Sequence, residues 1–129
     1  MDKRTVELQE RLIDYAVRII SLTAMLPETV AGRHIAGQLL KSGTSPAPNY
    51  GEAVSSESRN DFVHKVQIAL KELRESDVWL KVIVRAKLID APERLTPLLA
   101  ETDGLISILV ASARTARRNA NMPADDNNR

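Results

Sequence analysis

The second half of the chain contains a long stretch of helical periodicity, and this feature constrains the fold most. From Phe62 to Lys87 the seam residues recur every three or four positions, which is the spacing of one face of an α-helix. Ser58 and Asp61 form a capping-box variant, so the helix is expected to begin there and to run to about Leu88. Such a helix is about 45 Å long at about 1.5 Å per residue. Its neighbours must also be long, which favours antiparallel up-and-down packing.

A first helix is predicted between Thr5 and Leu26, directly before a proline. One face carries apolar residues at helical spacing, and Val6, Ile13 and Ile20 form a second apolar stripe beside it. This apolar surface is wider than one helix contact needs. The first helix is therefore expected to face both its own bundle and a neighbouring molecule.

The second helix is interrupted in its middle. Its two halves are predicted over residues 29–43 and 46–57, with Gly43 at the end of the first half. Ser45 stands where an N-cap would be, directly before Pro46. Because the residue before a proline resists the α conformation, a bend is expected at this point.

The fourth helix is expected to begin by Thr96 and to lose its apolar face near its C-terminal arginines. Aromatic residues make up only 3% of the chain, which argues against a β-sandwich or barrel. The predicted fold is all-α: an antiparallel up-and-down four-helix bundle with a kinked second helix, formed by residues 1–118 as one domain. Residues 119–129 are polar and are expected to be a disordered tail.

The composition excludes several classes of function. Without cysteine, disulfides, thiolate metal sites and a Cys nucleophile are excluded, and a cytoplasmic location is expected. No run approaches the roughly 20 apolar residues of a membrane span, so no membrane association is expected. The formal net charge is +1, so any attraction to nucleic acid must come from local patches.

The sequence lacks the patterns of common catalytic and metal sites. His34 and His64, the two histidines, lie on different predicted helices, and no Glu-x-x-His motif accompanies Glu72 and Glu75. No glycine-containing stretch has the Lys-Ser/Thr ending of a phosphate-binding loop. We therefore expect no catalytic residues, no metal and no cofactor, in a protein that is not an enzyme.

A set of polar residues interrupts the helical patterns. Its members are Gln38, Ser45, Asn49, Glu52, Lys65, Glu72 and Glu75. The structural interpretation is a buried or half-buried network that fixes helix register, because polar groups inside a bundle must satisfy one another. A ligand-binding role is the alternative. If the network is structural, Glu52→Ala is expected to destabilise the fold more than a surface change does.

Basic residues concentrate on the third and fourth predicted helices. The candidate nucleic-acid-binding residues are Lys71, Arg74, Lys81, Arg85, Arg114, Arg117 and Arg118. A solvated helix face is the ordinary explanation of such charges, and arginines at a helix C-terminus also interact favourably with its dipole. The functional interpretation is a set of phosphate contacts, which add together when a bundle is repeated around a ring.

Four blocks of the sequence carry a family resemblance: Gln38 to Ser45, Asn49 to Ala53, Asp61 to Lys65, and Ile68 to Leu80. The chain resembles the bacterial four-helix-bundle family encoded in intervening sequences of large-subunit ribosomal RNA genes. That family is related to the accessory proteins of diversity-generating retroelements, which look like ring-shaped homopentamers that bind a reverse transcriptase and nucleic acid. The resemblance implies a homo-oligomeric ring, specifically a homopentamer, for this chain.

Two departures from these relatives affect what the resemblance implies. Pro46 and Pro48 stand where the family usually has a smooth run of apolar and small residues, and the net charge is near zero where the retroelement proteins are strongly basic. The leading hypothesis is a non-enzymatic oligomeric bundle that binds structured RNA or DNA, with a reverse transcriptase or another nucleic-acid-processing protein as a partner. The alternative is a protein-interaction scaffold without nucleic-acid affinity, which the near-zero charge favours.

Overall fold

A computed structural model describes residues 2–120 of the chain, and this part is all-helical. The elements are α1 (Lys3–Thr23), α2 (Val30–Thr44), α3 (Pro46–Val54), α4 (Arg59–Arg85), a 3₁₀ turn (Pro92–Leu95) and α5 (Thr96–Ala120). Helices α2 and α3 follow one another along the bundle and together form its second rod. Helix α4 packs against α2, α3 and α5, while α1 packs against α2, α3 and α5. The predicted four-helix bundle is confirmed.

Helix α1 forms because its apolar residues fall on one face and its N-terminus is capped. The carboxylate of Asp2 accepts a hydrogen bond from the Arg4 backbone N–H at 3.0 Å. The buried face carries Leu8, Leu12, Tyr15, Ile19 and Leu22. Fully burying one such apolar side chain contributes about 1.5–3 kcal/mol, so this face holds α1 in the bundle.

Helices α2 and α3 meet at Ser45 and Pro46 with less disruption than the sequence predicts. Ser45 has α-helical dihedral angles (φ −71°, ψ −34°), so the residue before the proline adopts the conformation it was expected to resist. The predicted Ser45 N-cap is wrong, because its side chain makes no capping bond. Its hydroxyl instead accepts a hydrogen bond from Asn49 Nδ2 at 2.9 Å.

Gly43 lies inside α2, one residue before its end, and it is buried. A Cβ atom added there would lie 2.6 Å from Cγ1 of Ile19 on α1. Glycine is therefore required at this position by the close approach of α1 and α2, and not by the end of the helix.

Helix α4 ends at Arg85, three residues before the predicted end. Lys87 has a φ of 55°, in the left-handed region, and the Leu88 backbone N–H reaches back to the Ile83 carbonyl at 3.1 Å. This is the Schellman arrangement, in which glycine is usual at the left-handed position. Lysine is strained there because its Cβ crowds the backbone.

Helix α5 begins at Thr96, as predicted, and continues through Ala120. Asn119 and Ala120, which the sequence assigns to a tail, are therefore helical, and the remainder of the predicted tail lies outside the described residues. The segment Pro92–Asn119 is long and apolar enough to cross a membrane by length and composition alone. In this fold the buried residues of α5 include Leu105, Leu109 and Ala113, and the helix packs extensively against α4.

Four buried hydroxyl groups meet at the centre of the bundle, one from each rod. Tyr15 Oη lies 2.8 Å from Thr102 Oγ1, and Ser76 Oγ lies 2.8 Å from Ser42 Oγ. All four side chains are almost completely buried. Burial raises the pKa of Tyr15 to about 12, although hydrogen bonds with Thr102 and Ser76 lower it. The hydroxyls satisfy one another only when the four rods are in register.

Candidate interaction surfaces

The outer face of α1 carries an apolar stripe exposed to solvent. Its members Val6, Ile13, Val17 and Ile20 are 43%, 41%, 55% and 52% exposed. Their spacing of seven, four and three residues places them in one line, on the side of the helix opposite its buried face. Single exposed apolar residues are ordinary, but an aligned group of this kind is typical of a protein-binding surface. This stripe includes the second apolar line predicted from the sequence.

Acidic residues accompany this stripe on the same helix. Glu7, Glu10 and Asp14 are all exposed, and none of them takes part in an ion pair within residues 2–120. One residue of α1 is paired: Arg11 forms a bidentate contact with Glu101 of α5, with Nη2 to Oε1 at 2.7 Å. The Glu101 hydrogen bond raises the pKa of Arg11. Arg11 therefore ties α1 to α5, whereas the carboxylates remain available at the surface.

The outer face of α4 has the opposite character. Lys71, Arg74, Lys81 and Arg85 are all exposed, and Val78 lies between them with 56% of its surface exposed. Their spacing of three and four residues places all five in one line along the helix. The Lys81 ammonium is paired with Asp77 at 2.7 Å, so part of its charge is neutralised locally.

The remaining three basic candidates lie near the C-terminus of α5. Arg114, Arg117 and Arg118 are exposed. Helices α4 and α5 are antiparallel, and Arg59 Nη1 at the start of α4 donates to the Asn119 carbonyl at 2.6 Å. The arginines of α5 are therefore near the first turns of α4, while the basic line on α4 covers its middle and C-terminal half. The seven candidates form two groups on neighbouring helices.

The predicted polar network is not a single buried network. Ser45 and Asn49 contact each other within one helical turn, and Glu52 forms an ion pair with Lys65 at 2.7 Å. That pair is on the surface, with the Glu52 side chain 60% exposed. The expectation that Glu52 has buried partners is therefore wrong. The charged residues stay near the surface because two buried charges cost more free energy to desolvate than their attraction returns.

The other three members of the set are unconnected to these contacts within the described residues. Gln38 and Glu72 are half-buried and Glu75 is exposed. Glu72 Oε2 is shielded from solvent and has no hydrogen-bond partner in this part of the chain. Sevenfold spacing nevertheless relates Gln38 to Ser45 and Glu52 on one rod, and Lys65 to Glu72 on the other. Within the described residues, Glu52–Lys65 is the one ion pair that joins the two rods in this set.

The comparisons with known proteins identify the family. The family model described as the 23S rRNA-intervening sequence protein matches residues 4–111. The chain belongs to the 23S rRNA-intervening sequence protein family. A crystal structure of a protein of unknown function from the S23 ribosomal protein family of Bacteroides thetaiotaomicron is 31% identical, with a TM-score of 0.74. The similarity covers 82% of this chain and 97% of that one. No curated protein matches the chain.

The four blocks that carry the resemblance lie on the second rod of the bundle and on α4. They therefore flank the prolines of the α2/α3 junction, and they include the buried Ser42 and Ser76 hydroxyls and part of the basic line of α4. The α1 stripe lies outside these blocks but inside the match to the 23S rRNA-intervening sequence protein family.

Sequence reasoning did not identify the central hydroxyl group as a unit. Tyr15 and Thr102 occupy apolar-face positions of their helices, where spacing alone indicates packing and no polar contact. The signal that was available is a hydroxyl on the core face of each predicted helix, but spacing within one helix cannot show which hydroxyls meet. Within residues 2–120, no group of three or more His, Cys, Asp or Glu side chains could hold a metal ion.

Proposed function

We propose that this protein is a non-enzymatic homo-oligomer that binds structured RNA or DNA through the basic side formed by α4 and α5. The observation that carries the proposal is the separation of two unlike surfaces. The apolar stripe lies on the outer face of α1 and the basic line lies on the outer face of α4. These two helices are not adjacent in the bundle, although Tyr15 of α1 reaches Ser76 of α4 in the core. One surface can be buried against another copy while the other stays accessible.

The apolar stripe supports self-association. Burying apolar surface contributes about 25 cal/mol per Å², and a stripe of four exposed aliphatic side chains is left unpartnered in the single chain. In the proposed assembly this stripe packs against the next copy. The number of copies comes from the family resemblance, which implies a homopentameric ring.

In a ring, the basic residues of α4 and α5 would bind nucleic acid more tightly than they do in one protomer. A single protomer of net charge +1 attracts nucleic acid weakly, since non-specific binding rests on the number of phosphates neutralised. Repetition around a ring would place five copies of Lys71, Arg74 and the α5 arginines on one object. Exposed aromatic stacking platforms are not part of this side, because Trp79 is half-buried against His34. Structured RNA or DNA, recognised through phosphates, is therefore the proposed target.

A nucleic-acid-processing protein, such as a reverse transcriptase, is the proposed partner of the complex. A cytoplasmic location, with no membrane association, completes the proposal.

The first experiment measures solution mass by light scattering and affinity for a structured RNA at several salt concentrations, using the full chain. We expect a mass near five protomers and an affinity that falls as salt rises, with a logarithmic slope of about −0.9 for each phosphate neutralised on a duplex. A monomer without RNA affinity at low salt would remove the proposal. An oligomer without RNA affinity would support the self-association part of the proposal and would remove the nucleic-acid-binding part.

The second candidate is a protein-interaction scaffold without nucleic-acid affinity. Two observations favour it: Val78 interrupts the basic line of α4 with an exposed apolar side chain, and Lys81 is already paired with Asp77. The salt-dependent RNA measurement separates the two candidates, because only the first requires binding that weakens with salt.

A further inference from the structure

A groove runs between the C-terminal half of α1 and the start of α5, and no member of the basic line of α4 lines it. Its cavity has a volume of about 250 Å³. Buried Leu22, Leu95 and Leu98 form its floor, and the exposed side chains of Val17 and Met25 stand at its edge. Val17 also belongs to the α1 stripe, so the groove borders that stripe.

A second cavity of about 250 Å³ continues the groove past the end of α4. It shares Met25, Ile89 and Arg94 with the first cavity, and Leu88 and Asp90 also line it. The left-handed conformation of Lys87 turns the chain from α4 into this loop. The two cavities are continuous and their lining residues are mainly apolar, so apolar side chains of a partner segment can pack there.

Two guanidinium groups border the groove. Arg18 of α1 and Arg94 of the 3₁₀ turn both line the first cavity and are exposed. Neither has a carboxylate oxygen within 4.0 Å in the part of the chain that the structure describes. The nearby Asp90 lines the second cavity without forming an ion pair to Arg94. Two unpaired cations at the edge of an apolar floor are complementary to apolar side chains flanked by carboxylates.

We propose that this groove binds an acidic, apolar segment of a partner protein. In the complex, one or two large apolar side chains of the segment fill the floor over Leu22, Leu95 and Leu98. Its Asp or Glu side chains pair with Arg18 and Arg94. Nucleic acid fits less well, because phosphates would satisfy the arginines but would leave the apolar floor in contact with water. The site is separate from the basic side of α4 and α5, so it serves a different partner.

The test is a selection of random-sequence peptides displayed on phage against the full-length protein, followed by affinity measurements on the enriched peptides by fluorescence anisotropy. We expect enrichment of sequences that combine large apolar residues with Asp or Glu. The charge-reversal variant Arg18→Glu with Arg94→Glu should weaken their binding by about tenfold or more, since charge-assisted hydrogen bonds are lost and repulsion replaces them.

A second variant tests the apolar edge of the groove and leaves both arginines in place. Met25→Asp places a carboxylate at the mouth of the groove, and Met25 is 51% exposed, so the fold should tolerate it. It should also abolish binding of the enriched peptides. The matched control is Lys71→Glu with Arg74→Glu on α4, which reverses the same number of charges and should leave peptide affinity unchanged. Circular dichroism and thermal unfolding verify that all variants are folded.

Three results would overturn the proposal. The first is that no peptide is enriched beyond a parallel selection on the Met25→Asp variant. The second is that enriched peptides bind both groove variants as tightly as the original chain. The third is that the control with reversed charges on α4 loses the enriched peptides as fully as the groove variants do, which would mean that the peptides occupy the basic side. Loss of RNA binding in the control variant with retained peptide binding would separate this site from the proposed nucleic-acid function.

Discussion

The outer faces of α1 and α4 carry opposite kinds of side chain, although both helices bury an apolar face in the same core. On α1 the exposed line consists of valines and isoleucines with three carboxylates on the same helix, and on α4 it consists of two lysines and two arginines around a single valine. Burial in the core does not require either pattern. A folded bundle would be equally stable with mixed, polar outer faces, so each pattern points to something outside the chain.

The two faces would also bind their partners through different kinds of interaction. Contacts to the α1 stripe would be dominated by apolar burial, which is nearly independent of salt. Contacts to the α4 line would be dominated by charge and would weaken as ions screen it. Mutations on the two faces should therefore give different and separable phenotypes.

The largest effect is expected from charge on the α1 stripe. Ile13→Glu combined with Ile20→Glu should convert the proposed oligomer to a monomer, because two carboxylates would have to be buried without partners at the proposed interface. The stability of the single chain should change little, since both positions are exposed. Light scattering measures the mass. The matched control is Val78→Glu on α4, and an unchanged mass in the α1 variant would show that the stripe is not the interface.

Charge reversal on α4 should have the next largest effect. Lys71→Glu with Arg74→Glu is expected to weaken binding to structured RNA by about tenfold or more at low salt, and to reduce the salt slope by about 1 to 2 as phosphate contacts are lost. Lys41→Glu, on the exposed surface of α2, is the control and should have a smaller effect. A loss in Lys41→Glu of about half the size, for half the change in net charge, would mean that only net charge matters.

Inside the bundle, the Tyr15 and Thr102 hydroxyls provide a prediction about stability. Tyr15→Phe or Thr102→Val alone should lower the free energy of unfolding by about 0.5–1.5 kcal/mol, because each change removes the buried Tyr15–Thr102 hydrogen bond. The Thr102 hydroxyl keeps its bond to the Leu98 carbonyl, and the Tyr15 hydroxyl keeps its bond with Ser76. The double variant should cost less than the sum of the two. Urea denaturation measures all four chains, and strictly additive costs would argue against a coupled pair.

The same tyrosine predicts a loss of stability at alkaline pH. Its pKa is raised from 10.0 to about 12 in the folded protein, so the folded state holds the proton more tightly than the unfolded state. The associated stability is complete below pH 10 and is lost as pH rises towards about 12. Burial also raises the pKa of Tyr50, so part of the decline persists in Tyr15→Phe. Denaturation at pH values across this range should show a shallower decline in that variant.

The smallest effect is expected for Glu52→Ala. The Glu52–Lys65 pair is on the surface, and such pairs contribute roughly 0–1 kcal/mol. The variant should unfold within about 0.5 kcal/mol of the original chain, and the difference should shrink further as salt is added. A loss comparable with Tyr15→Phe would restore the buried-network interpretation that the structure contradicts.

Much of the fold could be predicted from the sequence because helical periodicity is a local signal. The apolar faces of α1 and α4 and the start of α5 at Thr96 agree with the predictions. The end of α4 does not, because the chain leaves the helix through Lys87, where a glycine would have marked the boundary. The role of Gly43 also needed the structure, since its neighbour Ile19 belongs to another helix.

The candidate surfaces were predicted less completely. The α1 stripe and the basic residues follow from spacing on single helices, and the structure places them on exposed faces. The central hydroxyls and the Arg18–Arg94 groove depend on residues that are far apart in sequence. Spacing along one helix carries no information about such pairs. The polar residues that interrupt the helical patterns suggested a buried network around Glu52, whereas the structure places the Glu52–Lys65 pair on the surface.

The two prolines at the α2/α3 junction affect how the second rod unfolds locally. Proline lacks an N–H, so Pro46 and Pro48 cannot donate to the carbonyls of Ser42 and Thr44. The second rod therefore lacks two backbone hydrogen bonds at this point, although its residues remain helical. Native-state hydrogen exchange should therefore detect two opening units along this rod, with the amides of α3 exchanging at a lower free energy than those of α2. The second rod, although continuous along the bundle, would then unfold locally as two separate cooperative units.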